Sequence, residues 1–508
     1  AGASTIRLAA CAALAAVTGG TALCCSLVQN RLSERAVPCA PMAEAFAEVW
    51  DAASAADDPV QLQRIVVLSA ITEAIREKGV EASPTAYYGA LMASLTAQRS
   101  GGESDTTVAG ATYLLSLLLP HLPPSLLRAQ AGDAAAVLLV CQKNYADSSL
   151  VARQVISCLP PMLAVQTEEA WTRITATKGG HPLSQPWQVM LATMGDSRPK
   201  VRKAAQAAVL KALVECPSSA AGASAASYCA KALRAGAGST GRKERGKASA
   251  AIAAAISFLR SGISQLQQHD VLHVIDPLLR VCQLGDPHAA KGAIEVLQQV
   301  VQPGAAAELS VKHLLQFLRS LLGISVGTLD ASCAASFSNL LAAAVVRAFS
   351  ASEAEACAYI AEVWGRIQVN VQSDCDIDTV RASVQALKQL VEHCVRPQEL
   401  RSSGTADYGP SLINLCADLL RYKYKAWWTE TMPVLGELLV QLGSSVGDAV
   451  DELLQSVATM CGSADGTGLE EEQLKALRLV LGAAVTSIGP VRFVSIVPLD
   501  EVAILGQN

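Results

Sequence analysis

The stretch GAGSTGRKERGKAS, residues 236–249, carries two glycine patterns that elsewhere cradle phosphate. Gly236, Gly238 and Gly241 are spaced as G-x-G-x-x-G, and Gly241, Gly246 and Lys247 as G-x-x-x-x-G-K. Both patterns work when a strand feeds the glycines and a helix follows, so that backbone N–H groups converge on the phosphate oxygens. Here SAASYCAKALR, which has helical character, precedes the glycines, and Ala248 stands where the second pattern requires Ser or Thr. The segment therefore reads as a basic, flexible inter-helix loop. An NTPase built on it requires nucleotide binding that is lost in Lys247→Ala.

The other reactive side chains form no constellation. Seven histidines are dispersed, and His269 and His273, four apart, lack the glutamate that would complete a helical zinc motif. The 15 cysteines show no C-x-x-C spacing, and Cys158, Cys229, Cys282, Cys394 and Cys416 sit in apolar helical surroundings. That pattern fits small buried hydrophobes in a reducing compartment, the cytosol or nucleus. No nucleophile elbow or carboxylate pair stands out, so no enzyme, cofactor or metal is expected.

Charge is what remains. Arg198, Lys200, Arg202 and Lys203 form one basic group, Arg242, Lys243, Arg245 and Lys247 a second, and Arg421, Lys423 and Lys425, followed by Trp427 and Trp428, a third. They interrupt a chain of formal net charge -5, so any nucleic-acid contact must be local. One reading is a solvated helix face, with Arg202 tied to an Asp of a neighbouring turn. The other is a strip facing phosphate or an acidic partner, with the two tryptophans stacking on a base or partner or simply filling the core.

These residues must be held by helices. In GDSRPKVRKAAQAAVLKAL, residues 195–213, a turn at Gly195, Asp196 and Ser197 leads to Pro199 in a first helical turn. Val201, Ala204, Ala205, Ala208, Val209, Ala212 and Leu213 then recur at spacings of three and four. With the short apolar helix of residues 186–194 before it, the unit is helix, Asp-containing turn, helix: the pattern of a HEAT repeat. Neither helix buries its apolar face alone, so the expected fold is all-α, an α-solenoid of stacked HEAT/armadillo-like helical pairs. The composition agrees, with 508 residues that are 51% hydrophobic but only 4% aromatic, which suits close helix-on-helix packing. Asp286 before Pro287, and an acidic turn at residues 374–380, repeat the signal at roughly 90-residue intervals, about two HEAT units each.

Further starts and stops divide the rest. Residues 1–60 read as two or three helices, one carrying Met42, Phe46, Val49 and Trp50 on a face, and 61–508 as a continuous solenoid. Uncharged residues 8–28 resemble the other Ala-rich helices rather than a membrane span, so no membrane partner is expected. Lys78 and Gly79 end one helix, Ser83 and Pro84 open the next, residues 99–107 form a loop, and Ser125 opens a helix after Pro123 and Pro124. Ser352 with Glu355, and Thr467 with Glu470, have capping-box spacing, and only residues 491–497 look strand-like. The chain opens on Ala and stops without a terminating element, so it reads as part of a longer protein.

SPTAYYGALMASL, RPKVRKAAQ, YKYKAWWTETMPVLGELLVQLG and GAAVTSIGPVRFVSIVPLD, in that order along the chain, resemble segments of the HEAT-repeat ribosomal RNA-processing protein 12-like family. SPTAYYGALMASL, residues 83–95, is similar to that family's Thr-Pro-Thr-x-Tyr-Phe-Ala-Ala-Leu-Met segment, with Tyr88 and Gly89 in place of Phe and Ala. RPKVRKAAQ, residues 198–206, resembles its Pro-Lys-Val/Ile-Arg-Lys-Ala-Ala-Gln helix. YKYKAWWTETMPVLGELLVQLG, residues 422–443, and GAAVTSIGPVRFVSIVPLD, residues 482–500, resemble two later segments in the family's order. The resemblance implies a scaffold of small-subunit ribosome assembly in the nucleolus and nucleus, with shuttling to the cytoplasm alongside the subunit precursor as a further role. Its implied partners are assembly factors, pre-ribosomal particles and pre-ribosomal RNA through the basic groups, with nuclear transport machinery as a further candidate. A karyopherin-like transport receptor or a generic HEAT adaptor is the alternative.

Overall fold

The computed structural model describes residues 46, 49, 59–97, 104–176, 180–216, 218–237, 242–302, 309–324, 330–372, 375–396, 409–442, 448–462 and 469–497. The readings of residues 8–28, Met42 and Trp50 lie outside this set; Phe46 and Val49 are both buried, and the Phe46 ring sits 5.6 Å from that of Tyr87. The chain divides into two compact units, Ala1–Tyr228 and Cys229–Asn508. The first holds α1 (Pro59–Glu77), α2 (Pro84–Ala97), α3 (Asp105–Leu118), α4 (Pro124–Asn144), α5 (Ser149–Ala164), α6 (Glu168–Thr175), α7 (Ser184–Thr193) and α8 (Pro199–Glu215). α9 (Ser219–Ala237) contains the boundary. The second unit continues with α10 (Arg242–Gly262), α11 (Gln268–Val281), α12 (Pro287–Val301), α13 (Val311–Leu322), α14 (Ala331–Ala351), α15 (Glu353–Gln368) and α16 (Ile377–Cys394). It closes with α17 (Gly409–Asp418), α18 (Trp428–Leu442), α19 (Asp448–Gly462), α20 (Glu471–Ile488) and α21 (Pro490–Ile496). Among the described residues there is no strand.

Helix starts follow local chemistry. Pro at the first helical position, where a missing N–H is harmless, opens α8, α12 and α21. Ser104, Ser148, Thr167, Asp286, Asp330 and Asp376 each accept a backbone N–H from the first turn of the helix that follows. Gly79, just past α1, has φ +63, a left-handed conformation that favours glycine.

Several boundaries differ from the sequence reading. Residues 491–497 are not a strand: Gly489 at φ +86 and Pro490 launch α21, and Phe493 and Ile496, three apart, are its buried side. The β-branched run misleads because helical spacing, not alternation, carries the burial. The basic stretch after Gly241 is not a loop, since α10 begins at Arg242. α4 starts at Pro124 with Pro123 in the cap position, one residue ahead of Ser125. Ser352 makes no side-chain cap bond, because the same residue closes α14, giving its N–H to the Ala348 carbonyl, and opens α15 without a linker. The capping box expected at Thr467 and Glu470 lies three residues on, with Glu470 as the cap and Gln473 as the reciprocal partner.

Packing builds two rows. In the first unit α1, α3, α5 and α8 pack successively, with α2, α4 and α7 against them as the second row. In the second unit α10, α12, α14, α16, α18 and α20 form one row and α11, α13, α15, α17, α19 and α21 the other. Each sequential pair is one repeat, and each repeat buries its apolar face on its neighbours. Small residues set the spacing: a Cβ at Gly292 of α12 would lie 2.8 Å from Ile256 Cγ2 of α10. α14 is long and apolar enough to cross a membrane, yet 61% of that window is buried, and its packing against α12, α13, α15 and α16 marks it as a core helix.

The cysteines belong to this core. Every described cysteine except Cys375 is buried. Burial pushes the thiols of Cys229, Cys282 and Cys394 up to about 12, and raises those of Cys158 and Cys416 further. Cys375 is half-buried while these five are closed off from solvent, so native-state alkylation at pH 8 is expected to modify Cys375 roughly 100-fold faster than these five. Mass spectrometry of timed aliquots checks this; equal labelling of Cys158 and Cys375 would contradict the packing.

Candidate partner-binding surface

The turns that open the first-row helices are tied to one another by side chains. In the first unit Ser148, capping α5, donates to Asp105 of α3 at 2.9 Å. Arg198, at the cap of α8, places Nη2 2.8 Å and Nε 3.0 Å from the two oxygens of Asp196, and its Nη1 reaches the Ala146 carbonyl ahead of α5 at 2.7 Å. In the second unit Ser249 of α10 donates to Asp286, Lys291 of α12 to Ser332 of α14, and Thr379 of α16 to the Ala331 carbonyl. Trp427 Nε1 donates to the Gln372 carbonyl ahead of α16 at 2.9 Å, and Gln473 of α20 to the Lys425 carbonyl at 2.9 Å. Deeper in the second unit, Ser338 of α14 bonds with Ser383 of α16 at 3.1 Å and accepts from Asn370, in the turn after α15, at 3.0 Å.

This ladder decides which cations are committed. Arg202 is not tied to an Asp side chain of a neighbouring turn among the described residues; its Nη1 donates to the Asp196 carbonyl of its own turn at 2.8 Å. The carboxylate goes to Arg198 instead, because Pro199 at the first helical position leaves Arg198 extended, at φ -78 and ψ 114, beside Asp196. The Arg198 hydrogen bond holds the Asp196 carboxyl below the usual carboxylate range. Its contribution to stability is thus full above the unfolded value near 3.9 and is lost as pH falls through the lower folded value. Asp330 and Asp376 are lowered likewise, by hydrogen bonds from Cys333 and from Thr379.

Lys200 and Lys203, by contrast, are exposed on the first turns of α8. Arg242, Lys243, Arg245 and Lys247 lie on the first turns of α10, with their side chains outside the described set. The segment preceding the glycines is helix α9, so the strand that a phosphate cradle requires is missing there. Arg421, Lys423 and Lys425 lie on or beside a 3-10 turn, Tyr422–Trp427, between α17 and α18. Asp418 sits 2.6 Å from Arg421 and 3.6 Å from Lys423. Trp428 is buried, with Nε1 bonded to the Leu419 carbonyl at 3.0 Å, and Trp427 is half-buried. The outward aromatic of this segment is Tyr422, which sequence reasoning passed over; its position before the alternating cations was the available signal. His269 is exposed beside Asp270, and among the described residues no group of three or more His, Cys, Asp or Glu side chains could hold a metal ion.

Stacked helix pairs with Asp-capped, laddered turns define a HEAT-repeat α-solenoid. The chain belongs to the RRP12-like HEAT-repeat family. A family model described as RRP12-like, N-terminal HEAT repeats matches residues 51–302, and one described as ribosomal RNA-processing protein 12, HEAT repeats matches 374–504. The human RRP12-like protein is 24% identical over 471 residues, which cover 89% of this chain and 34% of that protein. The chicken RRP12-like protein is 32% identical over 167 residues, covering 32% of this chain and 12% of that one. The chain thus spans about a third of the human relative's length. Among solved structures, Kap121p bound to Nup53p has a TM-score of 0.50 at 12% identity, covering 95% of this chain and 47% of that one. At that identity the likeness is one of fold.

Proposed function

We propose that the chain is a non-catalytic scaffold in small-subunit ribosome biogenesis, holding assembly factors and pre-ribosomal RNA in the nucleolus and nucleus and shuttling with the subunit precursor. The family match over residues 51–302 and 374–504 carries this reading, since the second of the two models is described as ribosomal RNA-processing protein 12. The exposed Lys200 and Lys203, beside a ladder that commits Arg198 and Arg202 to structure, support an RNA-facing edge. A stacked array presents a long surface and flexes because each repeat touches its neighbours only, which suits holding several partners at once.

In-cell UV crosslinking with sequencing of the bound RNA, alongside gradient sedimentation, tests this. Crosslinks in precursor small-subunit RNA and co-migration with pre-ribosomes are expected. In vitro, Lys200→Glu with Lys203→Glu should weaken RNA binding and reduce the salt slope by about 1.4, at roughly 0.7 per phosphate contact on single strands. The thermal midpoint should hold, since both lysines are on the surface. An unchanged salt slope removes this edge from the RNA path. The second reading, a karyopherin-like transport receptor, draws on the likeness to Kap121p. It requires direct binding of a nuclear GTPase or FG-repeat peptides, with no ribosomal crosslinks.

A further inference from the structure

We propose that Tyr422 is a stacking platform for an unpaired base of single-stranded RNA, with Arg421, Lys423 and Lys425 contacting the flanking phosphates. The inference rests on the scaffold reading above and names the partner chemistry of one of its sites.

The short 3-10 turn is anchored from both ends and on its inner side. Tyr424 is buried, Trp428 is buried and bonded to the Leu419 carbonyl, Trp427 is bonded to the Gln372 carbonyl, and Gln473 holds the Lys425 carbonyl. Tyr422, in contrast, is 80% exposed, among the most exposed large side chains in the described structure. An aromatic ring on so firmly held a backbone is presented to solvent with little conformational freedom left to lose on binding, which favours stacking.

Residues three apart in a 3-10 turn eclipse one another, so Tyr422 and Lys425 share a side. Lys425 Nζ accordingly lies over the Tyr422 ring, 5.5 Å from its centroid. Lys423 Nζ lies 4.6 Å from the Tyr424 ring centre, so the cations are spaced by aromatics along the turn. Asp418 pairs with Arg421 and Lys423 and also accepts a bond from Gln368, and along residues 418–427 it is the single acid in a stretch that carries Arg421, Lys423 and Lys425. The acids at the start of the adjoining α20 are engaged locally, Glu471 and Glu472 with Lys475 at 3.0 and 3.1 Å. A net positive segment around one exposed ring matches a strand that offers an open base face between phosphates. A duplex, whose bases are already stacked, does not offer that face.

The test uses the full 508-residue chain and fluorescence anisotropy with a labelled 12-nucleotide oligouridylate, a 12-base-pair RNA duplex and a 12-residue polyglutamate peptide. Tyr422→Ala is expected to bind the oligouridylate about tenfold more weakly, and Tyr422→Trp to bind it at least as well as the wild type. The salt slope should be the same in Tyr422→Ala and wild type, since no phosphate contact is removed, and circular dichroism melting should be unchanged. Equal oligouridylate affinity of Tyr422→Ala and wild type overturns the proposal, as does a larger loss on the duplex. A loss confined to polyglutamate assigns the patch to an acidic protein and also overturns it. Absence of any oligouridylate binding defeats this site while leaving co-sedimentation with pre-ribosomal particles, the test of the scaffold reading, to stand separately.

Discussion

Ala205→Asp is expected to open the α8 repeat and its neighbours. Ala205 is 0% exposed, on the face of α8 formed with Val201, Ala208, Val209 and Ala212. That face packs on α5 and α7. A carboxyl group there must be desolvated, whether ionised or protonated, at a cost on the order of 4 kcal/mol. The added atoms also press helices whose spacing alanines set. In an array where each repeat leans on the next, the loss spreads by about one repeat in each direction rather than through the whole chain. Hydrogen exchange followed by mass spectrometry should show faster exchange across residues 186–216 and in α5, with α1 and α2 protected as in the wild type. Unchanged protection across 186–216 would mean that α8 does not bury this face.

Trp187→Ala should be comparably damaging by a different route. Trp187 and Trp171 are both fully buried and meet edge to face, 5.2 Å between ring centres at 90°. Truncation leaves a large cavity, typically costing about 3–5 kcal/mol, and removes an aromatic pair worth roughly 0.5–1.5 kcal/mol. Trp187 Nε1 also donates to Ser224 Oγ at 3.0 Å, so α7 loses its bond to α9. Ser224→Ala, which deletes only that bond, should cost about 1 kcal/mol. Urea melts monitored by near-ultraviolet circular dichroism compare the two. If the alanine variants at 187 and 224 fall together, the hydrogen bond rather than the ring pair holds this corner.

What the chain discloses before folding is its repeat punctuation. The α8 face is spelled out by Val201 through Leu213 at spacings of three and four, and Asp196, Asp286 and Asp376 mark turns because Gly195 and Ser197, Gly285 and Pro287, and the acids Asp374 and Asp378 accompany them. Asp330 caps α14 in the same way, but it sits between Leu329 and Ala331 with neither Pro nor Gly beside it, so nothing singles it out. Residues 491–497 mislead because valines report β propensity, while burial of Phe493 and Ile496 depends on what α21 packs against. The candidate surface is less legible still. Whether Arg198 is a ligand for phosphate or a strut depends on where the Ala146 carbonyl lies, 52 residues earlier. Likewise, tryptophan hydrophobicity draws attention to Trp427 and Trp428, and only the packing of the 3-10 turn shows that Tyr422 faces outward.

The cross-repeat ties have a uniform reach. Ser148 returns to Asp105 across 43 residues, Arg198 to Ala146 across 52, and Lys291 meets Ser332 across 41. Among the described residues, none of these ties waits for the far end of the chain. During synthesis each turn can therefore be locked once about fifty more residues have emerged, and the stack can be completed from the N-terminus while the ribosome is still translating. A ribosome that halts midway would release a stack finished up to its last repeat, with the apolar face of that repeat open to water where the next pair was due.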